Sequence, residues 1–198
     1  LYDEASVPGI DGYPHRDFAP GIVEMIALDL PDTVSVFSHN DANKFGGFGA
    51  LRTQGIANLR GLEVEKLETL PAPGGGSFTA LLGESVYTAS RALLLPDLAS
   101  DLMGKRVREE FGWLMSVPNR HQVVWHIIED ATVIPAVNGM ARFAAMGYSD
   151  SPTPVSPHVF WWNGTSYEQL TEVSDDGGLA IRVSPAFQAV LESITADR

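Results

Sequence analysis

No cysteine occurs in the 198 residues, which removes disulfides, thiolate nucleophiles and every cysteine-containing zinc site. Basic residues are scarce, 13 Lys and Arg against 25 Asp and Glu, for a formal net charge of −12. That balance excludes a broad nucleic-acid footprint and attraction to an anionic membrane. The one small basic cluster, Lys105-Arg106-Val107-Arg108, is followed at once by Glu109 and Glu110. No run approaches the 18 or so apolar residues of a membrane span. The first twenty residues lack the basic start and apolar run of a secretory leader. A reducing compartment suits a cysteine-free chain, so a soluble, cytoplasmic protein is the expectation.

What is present is ordinary globular material. The hydrophobic share is 44%, with nine Phe, five Tyr and four Trp. A chain of this length buries roughly 70% of its unfolded surface and needs neither disulfide nor metal for a core. Residues 1–20, rich in Pro, Gly and Asp, read as an irregular N-terminal arm, and 21–198 as a single α/β domain. Residues 22–28 suit a helix end or a buried strand, and TVSVF at 33–37 a strand. Residues 39–49 read as turns. ALRTQGIANLRG at 50–61 has a moderate helical face of Leu51, Ile56, Ala57 and Leu59. Strands follow at 62–70 and 77–82. The PAPGGGS joint between them has neither the Lys nor the helix start that a phosphate cradle needs. Residues 86–95 lean to strand, and a short helix is expected at 97–104.

The strongest local signal is FGWLMSV at 111–117 and HQVVWHII at 121–128, flanking Pro118-Asn119-Arg120. Two β-rich arms around a turn predict a hairpin, and both are too apolar to face water, so the pair belongs inside a sheet. A helix over 134–147 should dock through Val137, Ala141, Ala144 and Tyr148, with Ile134 beside them. Residues 149–157 form a Pro-rich loop. Strands at 158–162 and 166–170 flank Asn163-Gly164. Asp175-Asp176-Gly177-Gly178 then punctuates the chain, and Ser184-Pro185 starts a last helix with a Phe187, Val190, Leu191, Ile194 stripe. The fold expected is α/β (α+β), a mixed or mainly antiparallel central sheet with packed helices.

The order of several short motifs resembles an uncharacterised bacterial family, domain of unknown function 1444. They are Asp29-Leu30-Pro31-Asp32, Ala57-Asn58-Leu59-Arg60, Ala89-Ser90 before Arg91-Ala92-Leu93-Leu94-Leu95, Val117-Pro118-Asn119-Arg120-His121, and Ser156-Pro157-His158 through Gly164. The resemblance covers about residues 20 to 170, and it carries no catalytic assignment to this chain.

The five histidines, His15, His39, His121, His126 and His158, include no His-Glu-x-x-His pair. His121 and His126 are five apart, so on one regular strand they face opposite ways. Metal and cofactor are therefore both expected to be none. No Gly-x-Ser-x-Gly elbow exists. Adjacent Trp161 and Trp162 should point to opposite faces. The candidate ligand-binding residues are Arg91, Asn119, Arg120 and His121. Asn119 suits a local turn bond, Arg120 suits a carboxylate or other anion, and Arg91 sits among apolar neighbours and needs a partner. Together they point to a non-catalytic binding or regulatory domain for a protein or small anionic ligand. The alternative is a hydrolase-type enzyme using carboxylate or histidine acid–base chemistry.

Overall fold

The computed structural model describes residues 1–108, 110–173 and 179–196. Glu109 and the break expected at Asp175-Asp176-Gly177-Gly178 lie outside the described residues. The chain begins with β1 (Tyr2–Asp3), two 3-10 turns, β2 (His15–Ala19) and β3 (Ile22–Met25). These strands form a three-stranded sheet in the order β1-β3-β2. Residues 1–20 are thus not an irregular arm: their Pro and Gly fall outside the strands, while Tyr2–Asp3 and His15–Ala19 pair with the fully buried β3. The hairpin of β4 (Ala27–Leu30) and β5 (Thr33–Val36) is a separate two-stranded sheet.

Helices α1 (His39–Lys44) and α2 (Gly47–Gly61) follow. The turn-rich reading of 39–49 is corrected here. Ser38 Oγ accepts a hydrogen bond from Asp41 N at 3.1 Å and caps α1. Strands β6 (Lys66–Pro71) and β7 (Ser77–Leu82) form the next hairpin. Residues 88–94 then make a 3-10 turn, not the strand expected over 86–95, and run into α3 (Leu95–Met103), where Pro96 occupies the first turn. The predicted hairpin is present as β8 (Trp113–Asn119) and β9 (Gln122–Ile127), followed by α4 (Val133–Ser149). The rest of the chain is β10 (Phe160–Trp162), β11 (Tyr167–Gln169), β12 (Thr171–Val173), β13 (Leu179–Ile181) and α5 (Pro185–Ala196).

The class is mixed α and β, and every described strand pair is antiparallel. The largest sheet has the order β11-β10-β8-β9-β7-β6, which puts the apolar hairpin in its middle. Strand alternation sorts its side chains between two cores. Phe78, Ala80, Leu114, Val124 and Trp161 meet Ala136, Val137 and Met140 of α4 and Phe187 and Ile194 of α5. Leu81, Trp113, Met115, Val123, Trp125 and Phe160 meet Ala89, Ala92, Leu95 and Ala99 on the other side, with Ile22 of the small sheet. Burial on both faces is why both arms read as continuous apolar runs. The two tryptophans divide as alternation requires: Trp161 packs on Phe187 at 5.1 Å, and Trp162 stacks on Trp113.

Pro118 is tolerated inside β8 because the β8–β9 register shifts between Ser116 and Asn119, where a ladder N–H is not required. On α4, Ile134 is 47% exposed and does not join the docking face, which runs instead through Val133, Ala136, Val137, Met140, Ala141 and Ala144.

Gly112 has φ +68°, and a Cβ there would stand 1.8 Å from the Trp162 carbonyl oxygen. Gly104 has a similar φ of +63° with nothing within 4 Å. Gly104→Ala should therefore cost only the left-handed penalty of about 1–2 kcal/mol. Gly112→Ala adds a backbone collision at the β8–β10 seam and should cost more than about 4 kcal/mol. Urea unfolding of both variants separates the two terms, and equal losses would refute the collision.

Candidate functional site

The turn between β8 and β9 distributes its polar residues in different directions. Asn119 is buried, and its side chain is fully occupied: Nδ2 donates to Gly147 O at 2.8 Å and Oδ1 accepts from His121 N at 2.9 Å. It closes the turn as expected and also fixes the turn to the end of α4. His121 donates from Nδ1 to Gly83 O at 3.1 Å, just beyond β7. His126 does the same to Ser77 O at 2.8 Å, at the start of β7. The two rings thus hold opposite ends of one neighbouring strand. Among the described residues, no group of three or more His, Cys, Asp or Glu is arranged to hold a metal.

Arg91 is only 3% exposed, and its Nη2 has no hydrogen-bond partner. Burial lowers its pKa, and the charge of Glu65 works against that shift. Glu65 itself accepts from the backbone nitrogens of Glu84 at 2.8 Å and Ser85 at 3.3 Å, which hold its carboxyl below the ordinary range. The charges of Arg91 and His121 add to that lowering, so both belong to the surroundings of Glu65.

Arg120 goes elsewhere. Its main chain is fixed on both sides, N donating to Thr153 O at 3.3 Å and O accepting from Ala89 N at 3.0 Å. Its guanidinium lies over the Tyr2 ring, 4.5 Å from the centroid. Among the described residues no carboxylate is within ion-pair distance of it. Of the four candidate residues, Arg120 alone lines a cleft of about 410 Å³, so the expected wall of Asn119, Arg120 and His121 is not formed.

That cleft is built from parts far apart in the chain. Met25 and Ile26 belong to β3 and its exit, Leu28 and Val34 to the β4–β5 hairpin, Ile56 and Leu59 to α2, Leu93 to the 3-10 segment and Val86 to its approach. The size and apolar lining fall in the usual range of small-molecule sites, roughly 300–1,000 Å³. Its polar groups are few. Glu24, 3% exposed, pairs with Arg52 at 2.7 Å and with Arg16 at 3.6 Å. Leu1 N donates to Ser90 Oγ at 2.8 Å. The Tyr87 hydroxyl is buried beside the Asp29 carboxylate, short of a well-aligned hydrogen bond to it, and burial, with the Asp29 charge and that contact, raises its pKa. It is therefore a protonated donor at neutral pH.

A second groove, of about 690 Å³, lies beyond Arg52 and Leu93, which border both spaces. Its wall is an aromatic ladder across β8, β10 and β11. Trp113 stacks on Trp162 at 5.3 Å, and Tyr167 faces Trp162 at 5.1 Å. Trp113 Nε1 donates to Tyr167 Oη at 3.1 Å. Sequence reasoning found neither space, because the lining is assembled from segments with no shared motif. No family model, curated protein or solved structure matches the chain.

His126 yields a pH test. Burial pushes its pKa below the ordinary 6.5, outweighing the hydrogen bond to Ser77 that favours the charged ring. Below pH 6.5 the unfolded chain then binds the proton more readily than the folded one, so stability falls as pH drops from about 7 toward the lower folded pKa. His126→Gln should remove this component and flatten the decline of the urea midpoint between about pH 7 and 5.5. A parent-to-variant difference that does not change with pH would contradict it.

Proposed function

We propose that this protein is a non-catalytic binding or regulatory module that takes a small anionic ligand in the Arg120 cleft. The observation that carries the reading is a half-buried guanidinium with no carboxylate partner among the described residues, facing an apolar space beside the Tyr87 hydroxyl. Such a cation gains a charge-assisted, bidentate contact only when an anion arrives. Glu24 does not oppose this, because Arg52 and Arg16 neutralise it. Asp29, which also lines the cleft, does, but it is exposed and water screens its charge.

Several features favour binding over turnover. The cleft lining contains no histidine. Its buried carboxylate is engaged by Arg52, and its other carboxylate, Asp29, stands exposed with neither a histidine nor a second free acid in the lining to share proton transfer. The net charge of −12 argues against nucleic acid as the anion. No helix among the described residues is long and apolar enough to cross a membrane. The proposal includes a cytoplasmic setting, supported by the absence of cysteine. It also includes the layout shared with domain of unknown function 1444, which contributes no ligand of its own.

The test is titration of ¹⁵N-labelled protein with octanoate, benzoate and inorganic phosphate, following the Arg120 side-chain Nε–H signal. At least one anion should shift that signal. Arg120→Ala, shown to be folded, should bind that anion about tenfold more weakly or worse, as loss of a charged hydrogen bond requires. An Arg120 signal that none of the three moves, or unchanged affinity in the variant, would refute the assignment.

A further inference from the structure

The helix that walls the cleft is incompletely covered. None of the fifteen residues of α2 is buried. Its aliphatic side chains Ile56 and Leu59 line the cleft, as does Leu62 just past its end. Leu28 of the β4–β5 hairpin is 45% exposed and lines the same space from the opposite side. That hairpin pairs with no other strand among the described residues. A helix in a folded protein gains most of its stability from burying an apolar face. Here that face looks into a cleft, with an unpaired cation among the lining groups.

We infer that the ligand is an amphipathic monocarboxylate, its aliphatic body lying between α2 and the β4–β5 hairpin and its carboxylate on Arg120 and the Tyr87 hydroxyl. This deepens the binding reading above and rests on it. Arg120, with no carboxylate at ion-pair distance among the described residues, selects for negative charge, and the Tyr87 hydroxyl can turn from Asp29 to the same head group. The aliphatic lining selects for a hydrocarbon body, because covering Ile56, Leu59 and Leu28 removes apolar surface from water. A compact, fully hydrated ion such as phosphate leaves those residues uncovered. A neutral hydrocarbon leaves Arg120 unpaired in a site that its entry has dried, which costs binding.

The experiment compares acetate, butanoate, hexanoate, octanoate and 1-octanol by the Arg120 Nε–H shift and by calorimetry on the whole chain. Each added methylene that finds apolar wall should tighten binding about fourfold, until the cleft is full. Octanoate should also slow amide hydrogen exchange in α2 and in the β4–β5 hairpin, whereas acetate should not. Leu59→Ser, a change at a half-buried position, should weaken octanoate roughly tenfold and leave acetate unchanged. If acetate and phosphate bind at Arg120 as tightly as octanoate, the amphipathic class is wrong while the anion site stands. If 1-octanol matches octanoate, the carboxylate contact is wrong. If no anion moves the Arg120 signal, the binding reading falls and takes this inference with it.

Discussion

The β8–β9 hairpin has to be covered on both faces, and the arrangement of the molecule follows from that constraint. Its side chains on either face are among the least exposed in the chain. Helices α4 and α5 cover one face. The other receives the 3-10 turn, α3 and the buried residues of the N-terminal sheet. Small side chains let these layers approach. A Cβ on Gly139 of α4 would stand 2.9 Å from the Phe78 ring. Asn119 then joins the layers: its amide group holds the hairpin turn and the last turn of α4 in a fixed relation.

The cleft follows from how the second face is covered. The 3-10 segment crosses it with small residues, Ala89 and Ala92, turned inward, so its other side and its approach are left to carry Val86, Tyr87 and Leu93 toward the cleft. The N-terminal sheet closes one side through Tyr2, Glu24 and Met25, and α2 closes another without burying any residue of its own. Arg120 enters from a turn whose main chain is pinned by Thr153 and Ala89, with its guanidinium laid over the Tyr2 ring. A site on so fixed a backbone is pre-organised, which lowers the ordering cost of binding.

How much of this was legible in the sequence depended on how local the determining interactions were. The hairpin, α4, the β10–β11 pair and α5 were readable because each carries its own pattern. Ser184 Oγ does accept from Phe187 N at 3.1 Å, as the Ser-Pro start suggested. The Asn163 side chain accepts from Thr165 N and Ser166 N, both at 3.0 Å, within the loop that its Asn-Gly text marked. Segment 86–95 misled, because its strand propensity yields to a tertiary role: it lies across a sheet face and must turn Ala89 and Ala92 inward. The N-terminal strands were hidden because they are short and their pairing partner is β3, which reads as ambiguous by itself. Helix α1 was missed although its signal was present, since Ser38 followed three residues later by an acid is a capping pattern. Among the candidate residues, Arg120 was put forward for its chemistry and Asn119 for its turn preference. The direction each side chain takes was not legible, and neither was the cleft, whose lining comes from five separated segments.

The Glu24–Arg52 pair decides why two spaces exist rather than one long groove. Arg52 borders both the cleft and the aromatic groove, and Arg16, the second partner of Glu24, lines the latter. Glu24 sits on β3 with almost no exposure, so its charge depends on those guanidinia for compensation. Withdrawing Arg52 would strand a buried carboxylate beside the more distant and more exposed Arg16, a cost several times that of breaking a surface pair. The partition is thus held by desolvation more than by attraction: Arg52 cannot leave while Glu24 stays buried. It follows that the Arg120 end and the aromatic ladder are separate chemical environments in this fold. A ligand long enough to reach from one to the other would have to supply its own negative charge to Arg52 in place of Glu24.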